Sequence, residues 1–416
     1  MRQSPRQRPR PRLPPPGAAR RAAPGPGRAG KPPPRPSPRR HPPRRWCRRA
    51  PPTPPPPQTR PSRRHGTAVR LAGLLFLGVW AHHQDHGLWP ILARQWDAKW
   101  YLGIADHGYA REVGTEGSNL AFFPLYPVLV KAVAAVTPGT RATTGLCLAV
   151  AASFVAAWGV FAVADRLYGR RVGVLATVLW AAFPVGLVQW MGYTESLFTA
   201  CAAWSLYAVL TRRWLWAGTL AVLAGLTRPT GIAVAAAVTV AALLSLRRGF
   251  SGRALTAALL APLGWCGYLA WVGLRVGRWD GYFAEQRVWS NEMDGGRRTL
   301  REFRQLLVRD PTPHLFLLLV TLVLVVSVAL FALSARDRQP LPLLVFTGVT
   351  LLIVLTSGGV YFPRARYLLP AFPLLLPLAL RLSVATRRHR ALVLTAAVAG
   401  SVYWGAHMAL VWPGAP

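Results

Sequence analysis

Carboxylates are what this chain has least of: 14 Asp and Glu stand against 50 Lys and Arg in 416 residues, a formal net charge of +36. An acid in such a background asks for a chemical reason. Cysteine is scarcer still. Cys47, Cys147, Cys201 and Cys266 are dispersed along the chain, which excludes a disulfide framework and leaves no zinc-ligand spacing. The sequence contains no glycine loop of the Walker type, no dinucleotide-binding glycine motif and no metalloprotease helix motif. His82, His83, Asp85 and His86 cluster, but only His82 and His86 have the i, i+4 spacing of a helical metal pair. No divalent metal and no other cofactor is therefore expected.

Apolar runs are abundant. A bilayer crossing needs about 20 apolar residues, with a range of roughly 17 to 25. Runs at 68–80, 144–164, 172–190, 197–210, 214–226, 231–246, 254–274, 314–333, 341–355, 367–382 and 391–412 give about eleven spans, the shorter ones tilted, broken or extended by neighbours. The expectation is an all-α polytopic membrane protein, with membrane lipids among its partners.

Residues 1–65 differ in kind: they are arginine and proline with almost no large apolar side chain and no acid. Such a segment cannot bury enough surface to offset the entropy of ordering. We expect a disordered cytoplasmic tail over 1–65 and a transmembrane domain over 66–416. The tail carries about half of the +36 charge, so the basic balance marks an arm and does not mark a nucleic-acid-binding domain. Attraction to anionic headgroups is its functional reading; a coding start placed too far upstream is the other. Arg63 and Arg64 before the run at 68–80 also resemble a secretory signal, but no small-residue cleavage site follows. An uncleaved first helix is expected.

Basic residues collect on the cytoplasmic side of short loops. With the tail inside, loops 165–171, 211–213, 247–253, 335–340 and 381–390 are cytoplasmic, and each carries two or more arginines. The opposite face then receives 80–143, 191–196, 227–230, 276–313 and 356–366. Every segment with chemical character falls on that extracytoplasmic side.

The densest of these is Gln95-Trp96-Asp97-Ala98-Lys99-Trp100-Tyr101-Leu102-Gly103-Ile104-Ala105-Asp106-His107-Gly108-Tyr109, with two acids, a lysine and four large aromatics at a membrane surface. After it come Phe122-Phe123-Pro124-Leu125-Tyr126-Pro127, Gly192-Tyr193-Thr194-Glu195-Ser196, Thr227-Arg228-Pro229-Thr230-Gly231 and Arg366-Tyr367-Leu368-Leu369-Pro370. In order and spacing these motifs resemble the PIG-V-like mannosyltransferases, over nearly all of 68–416. The resemblance implies a GT-C-like bundle and a lipid-linked hexose donor, as in the family's eukaryotic members, which take mannose from dolichyl phosphate. It does not fix the acceptor, and it does not reach the tail.

The residue chemistry can be read beside it. Moving a sugar from a lipid phosphate to a hydroxyl needs a base for the hydroxyl proton and positive charge for the departing phosphate, but no acid. Asp97, between Trp96 and Trp100, is the first choice for the base, its plainer role being an interfacial ion pair with Lys99 or Arg94. Asp106 is the second catalytic candidate; it would orient base or acceptor, or cap a short helix. Lys99, Trp100, Tyr101 and Tyr193 are candidate substrate contacts. Glu195, at the outer end of a span, needs a partner because an unpaired acid there is costly. Arg228, beside helix-breaking Pro229, suits an ion pair or a phosphate contact. Arg364 and Arg366 carry forks suited to phosphate oxygens, and their placement against the positive-inside bias favours function over flanking charge.

Leu300, Phe303 and Leu307 at helical period beside Arg297, Arg301 and Arg304 predict an interfacial helix over 295–309, and 122–136 predicts another in the first extracytoplasmic loop. The expected activity is an inverting transfer of mannose or a similar hexose from a polyprenyl phosphate. It would act on the outer face of a plasma membrane that the alanine, arginine and proline bias marks as bacterial. The acceptor, whether glycolipid, glycan or protein, stays open. A transporter or flippase of polyprenyl-linked sugar is the competing class, but it would place binding residues near the midplane of two repeated halves, and no internal repeat is visible. A scaffold would leave 96–109 unexplained.

Overall fold

The computed structural model of the protein describes residues 60–110 and 118–415. The tail therefore lies, as far as residue 59, outside the described residues. Among those described, all regular structure is helical apart from one isolated bridge between Met293 and Ser357.

The chain enters on α1 (Arg60–His83), which starts within the stretch expected as tail: arginine is a good helix former and a proline in the first turn costs nothing. Two short helices follow, α2 (Leu88–Arg94) and α3 (Asp97–His107), and then α4 (Leu125–Ala134), the first interfacial element. The long α5 (Arg141–Tyr168) is capped by Thr140, whose side chain accepts from the Thr143 N–H. It leads through α6 (Arg170–Ala181), α7 (Glu195–Leu210), α8 (Trp214–Gly225) and α9 (Gly231–Leu246) to α10 (Gly252–Leu260) and α11 (Leu263–Val276). The last two are one apolar rod interrupted at Pro262, which has no N–H to give. Next come α12 (Gly281–Val288), α13 (Arg297–Arg304) with a π-helical turn over Gln305–Arg309, and α14 (Leu315–Arg336). The chain ends through α15 (Leu341–Thr356), α16 (Arg364–Tyr367), α17 (Leu376–Val384) and α18 (Arg387–Leu410).

Arg141–Tyr168, Gly252–Val276, Leu315–Arg336 and Arg387–Leu410 are long and apolar enough to cross a membrane, and the other apolar helices are shorter. Two expected spans are broken. The run at 172–190 stops at Ala181, because Pro184 cannot continue the helix and a 3-10 turn, Gly186–Trp190, takes over. Arg70 of α1 holds this break: its guanidinium donates to Ser401 Oγ at 3.0 Å, and Ser401 donates to the Phe183 carbonyl at 2.8 Å. The run at 367–382 is cut at Pro370 and Pro373 into α16, a 3-10 turn over Phe372–Leu375 and α17. Both breaks leave chain free to carry polar residues inward.

The larger core joins α5 to α10 with α15 and α17 and is built largely of alanine, the small-residue packing expected where lipid removes the hydrophobic drive between helices. Close approach goes furthest between α8 and α11. A Cβ on Gly225 would lie 2.7 Å from the Trp265 backbone nitrogen, and one on Gly264 would overlap the Val222 carbonyl, whereas Gly267 on the same helix faces open space. Gly264→Leu should therefore destabilise the purified protein by at least about 1–3 kcal/mol, the usual range for overpacking. Gly267→Leu should be neutral or slightly stabilising. Thermal unfolding of both variants in detergent decides; equal effects would mean that the α8–α11 contact does not restrict side-chain size.

Candidate active site

Four charged side chains from remote parts of the sequence meet between α3, α7, α16 and the turn before α9. Trp96 adopts φ +49°, a left-handed conformation strained for a tryptophan. This reversal starts α3 with Asp97 at its first position, where the free N–H groups of the helix favour a negative charge. Gly192 N–H donates to the Leu92 carbonyl at 2.8 Å, and a Cβ on Gly192 would press on Ala93 O and Ala98. The Gly192-Tyr193-Thr194-Glu195 segment is thereby laid against the α2–α3 junction. Pro363 and Pro370 bracket α16, which brings Arg366 in from the other side.

Arg366 stands between the acids. Its Nη2 is 2.7 Å from Asp97 Oδ2 and its Nε is 3.2 Å from Glu195 Oε1. The same Glu195 oxygen lies 2.5 Å from Arg228 Nη1, which also donates to Thr194 Oγ1 at 3.0 Å. Thr194 in turn is 3.3 Å from the Tyr101 hydroxyl. The guanidiniums lie over aromatic faces, Arg366 over Tyr193 at 5.0 Å and Tyr367 at 5.4 Å, and Arg228 over Tyr367 at 5.5 Å. Two arginines thus balance two carboxylates. Glu195 is 0% exposed and Arg366 4%, whereas Asp97 is 21% exposed, so the carboxylate open to an incoming molecule is Asp97.

Trp100 and Tyr101 follow Asp97 by three and four residues and share its side of α3. Trp100 stacks on Phe122 with centroids 5.7 Å apart and meets the edge of Trp289 at 4.8 Å, while Tyr101 meets Phe122 and Tyr126 edge-on. Lys99 is exposed, its Nζ 5.9 Å from the Trp100 ring.

The structure unites Asp97, Tyr101, Tyr193, Glu195, Arg228 and Arg366, with Lys99 and Trp100 alongside. Two candidates do not join them. Asp106 sits at the far end of α3, about 14 Å along the axis at 1.5 Å per residue, and pairs with Arg141 at a well-exposed surface. It cannot orient Asp97. Arg364 is buried, but its fork is spent on the chain: Nη2 donates to the Ser357 and Gly359 carbonyls at 2.5 and 3.2 Å, and Nη1 to Thr299 Oγ1. It staples a loop and leaves no fork for phosphate. Nor does Asp97 pair with Lys99 or Arg94; the latter lies over Trp89. Sequence reasoning missed Thr194, although it lies inside the Gly192–Ser196 motif, and Trp289, which has no local signal at all.

In the same loop Asp294 caps α13, accepting from the Gly296 and Arg298 backbone N–H groups at 2.8 and 2.7 Å. Desolvation pushes its pKa up, but these two donors and the nearby Arg364 guanidinium outweigh it and hold the group below the usual carboxylate range.

No protein-family model matches the chain, and no curated protein matches it. Among solved structures the chain is similar to the archaeal oligosaccharyltransferase AglB from Archaeoglobus fulgidus in complex with an inhibitory peptide and a dolichol-phosphate: 14% identity, TM-score 0.46, covering 83% of this chain and 55% of that one. It is similar also to the Archaeoglobus fulgidus oligosaccharyltransferase complex with Zn and sulfate, at 16% identity and TM-score 0.46, covering 82% and 53%. The chain spans about half the length of these structures.

The burial of the cluster gives a stability prediction. Arg366→Ala leaves Glu195 sealed with one partner fewer and should cost about 3–5 kcal/mol, as breaking buried pairs does. Arg366→Lys should fall between, since a point charge cannot reach both acids. Arg141→Ala, which frees only the solvated Asp106, should cost less than about 1 kcal/mol. Chemical unfolding of the three variants in one detergent tests the order; a loss at Arg141 as large as that at Arg366 would contradict it.

Proposed function

We propose that the protein is a membrane glycosyltransferase of GT-C architecture that transfers mannose or a similar hexose from a polyprenyl phosphate to a hydroxyl acceptor. The observation that carries this reading is the way Arg366 is shared. Its Nη2 meets Asp97 and its Nε faces Glu195 at ion-pair distance without a hydrogen bond, while Nη1 is buried with neither a hydrogen bond nor a carboxylate partner among the described residues. A buried guanidinium nitrogen with nothing to donate to is costly, and a phosphate oxygen would satisfy it. The motifs that resemble the PIG-V-like mannosyltransferases contribute all four charges, which also supports the reading.

In this mechanism Asp97 accepts the proton of the acceptor hydroxyl as the new bond to the sugar C1 forms. The bond from C1 to the phosphate oxygen breaks on the opposite side, which inverts the anomeric centre. The electron pair leaves with the phosphate, whose growing charge is met by Arg366 Nη1. Glu195, itself paired with Arg228, holds that guanidinium in place. Lys99 gives an exposed positive charge to draw an anionic donor, and Trp100 with Phe122 and Trp289 forms an apolar wall beside it. Asp106, tied to Arg141 at the other end of α3, has no part in the chemistry.

Asp97→Asn keeps size and much of the hydrogen bonding but cannot take the proton at neutral pH. Turnover should fall by about 100-fold or more while donor binding persists, general-base contributions being typically 10² to 10⁴. The assay is the full chain in liposomes with radiolabelled polyprenyl-phosphate sugars and a panel of membrane extracts as acceptors. Near-normal turnover in Asp97→Asn removes it as the base. Label transferred from nucleotide sugars and never from the lipid phosphates would refute the donor class.

A further inference from the structure

The segment from Arg297 to Arg309 has three sides. Thr299 and Leu306 are buried and Phe303 is half-buried against Tyr361 at 6.2 Å, so this side faces the protein. Leu300, Leu307 and Val308 are 69%, 64% and 76% exposed, an unusual outlay of large apolar side chains for a surface in water. Leu300 and Leu307, seven residues apart, fall on one side of the helix. The third side carries Arg297, Arg301 and Arg304, all exposed, with Arg309 at the end of the π turn. None of these four has a carboxylate within ion-pair distance among the described residues.

Two further facts place this segment. Six residues beyond Arg309 begins α14, among the most apolar helices of the chain, and its outward Leu315, Leu322, Val325 and Val326 are exposed in the same way. The apolar side of the π turn thus borders a membrane-facing helix. The segment is also fixed in position. Gly295 and Gly296 adopt φ +71° and +88°, which other residues resist, and Asp294 caps α13. Thr299 donates to the Leu355 carbonyl at 2.7 Å and receives Arg364, and Arg298 donates to the Gly358 carbonyl at 3.2 Å.

We propose that α13 and its π turn form a docking surface for the headgroups of anionic phospholipids in the leaflet that meets this end of α14. Leu300, Leu307 and Val308 would lie among acyl chains, and the arginines would reach from the same helix to the phosphate layer, their stems covering apolar surface. Charge decides the occupant: four guanidiniums, none of them ion-paired among the described residues and with Glu302 the one acid of the segment, favour an anionic headgroup over a zwitterionic one, whose own cation offsets its phosphate. The surface is independent of the glycosyltransferase reading and needs only that the chain lies in a bilayer. It is joined to the site, since Thr299 and Arg298 hold the loop that leads through Arg364 to Arg366.

The test uses the full chain with its four cysteines replaced by serine and a fluorophore on Gln305→Cys, in phosphatidylcholine vesicles. Either added phosphatidylglycerol or the phosphatidylcholine itself is brominated as a quencher. Phosphatidylglycerol should quench at mole fractions well below those set by random mixing. In the triple variant R297Q/R301Q/R304Q the mole fraction for half-quenching should rise by roughly a hundredfold, each basic residue near a surface contributing on the order of a fivefold preference. The triple lysine variant should stay near the parent, and single glutamine variants, which spare folding, should each shift it by roughly fivefold. A triple glutamine variant that keeps the parent's preference would overturn the proposal. So would random-mixing quenching in the parent, or a fluorophore that neither brominated lipid reaches.

Discussion

The contact on which the rest of the site depends is the guanidinium of Arg366 set between Asp97 and Glu195. A carboxylate sealed as fully as Glu195 costs several kcal/mol to remove from water, and the return comes only if charge and geometry are both met. Arg228 and Arg366 meet the charge. The geometry is supplied by breaks in three otherwise apolar stretches: the strained Trp96 before α3, the unwound chain after α6, and the proline-bounded α16. Regular helices through these stretches would bury their backbone groups more cheaply, but none of them could deliver a charged residue to a common point. At the break after α6 the exposed Phe183 carbonyl is satisfied by Ser401, which Arg70 holds in place.

The cluster is neutral as a whole yet uneven in exposure, and that unevenness divides the labour. Glu195 is sealed by both arginines and can serve only to fix them. Asp97 is held at one oxygen and remains open. Under the proposed mechanism the group that exchanges a proton with a visiting hydroxyl has to be the open one, whereas a group that keeps a guanidinium from wandering is best closed. Arg228 is engaged at Nη1 by both Glu195 and Thr194, so its role is closer to that of Glu195 than to that of a substrate clamp.

Much of this was legible in the sequence, for a physical reason. In a chain so short of acids and so rich in apolar runs, a charge at the end of a span must be paired, and Glu195 and Arg228 were visible on that ground, while Asp97 and Arg366 stood out through the motifs that carry the family resemblance. Helix positions followed from the runs themselves. What failed was partner choice. Arg364 and Arg366 both carry forks at the mouth of one span, and only Arg366 belongs to the motif that carries the resemblance; residues two apart on a helical turn point in nearly opposite directions, so Arg366 enters the site and Arg364 turns to the Ser357 and Gly359 carbonyls. Asp106 looked close to Asp97 because nine residues is a short interval in a loop; once the segment is a helix, nine residues is most of its length. The breaks at 182–186 and 370–375 were signalled by Pro184, Pro370 and Pro373 but were outweighed by the apolar composition around them. Trp289 packs on Trp100 from about half the domain away in sequence, and no local pattern announces such a contact.

The fate of Arg364 narrows the chemistry further. If both arginines of the 364–366 segment had faced the site, two cations could have shared a phosphate and Asp97 could have been an ordinary counter-ion to the surplus. With Arg364 committed to backbone carbonyls and Thr299, the positive charge facing Asp97 is that of Arg366 alone, and it is already half-neutralised by Glu195. In the proposed mechanism an anion arriving at Nη1 draws on the same guanidinium that Nη2 gives to Asp97. As negative charge grows on that anion, the guanidinium is drawn towards it and shared less fully with Asp97. In the proposed mechanism Asp97 and the departing phosphate therefore share a single planar group, which a lysine, with one point charge in place of two divergent nitrogens, could not provide.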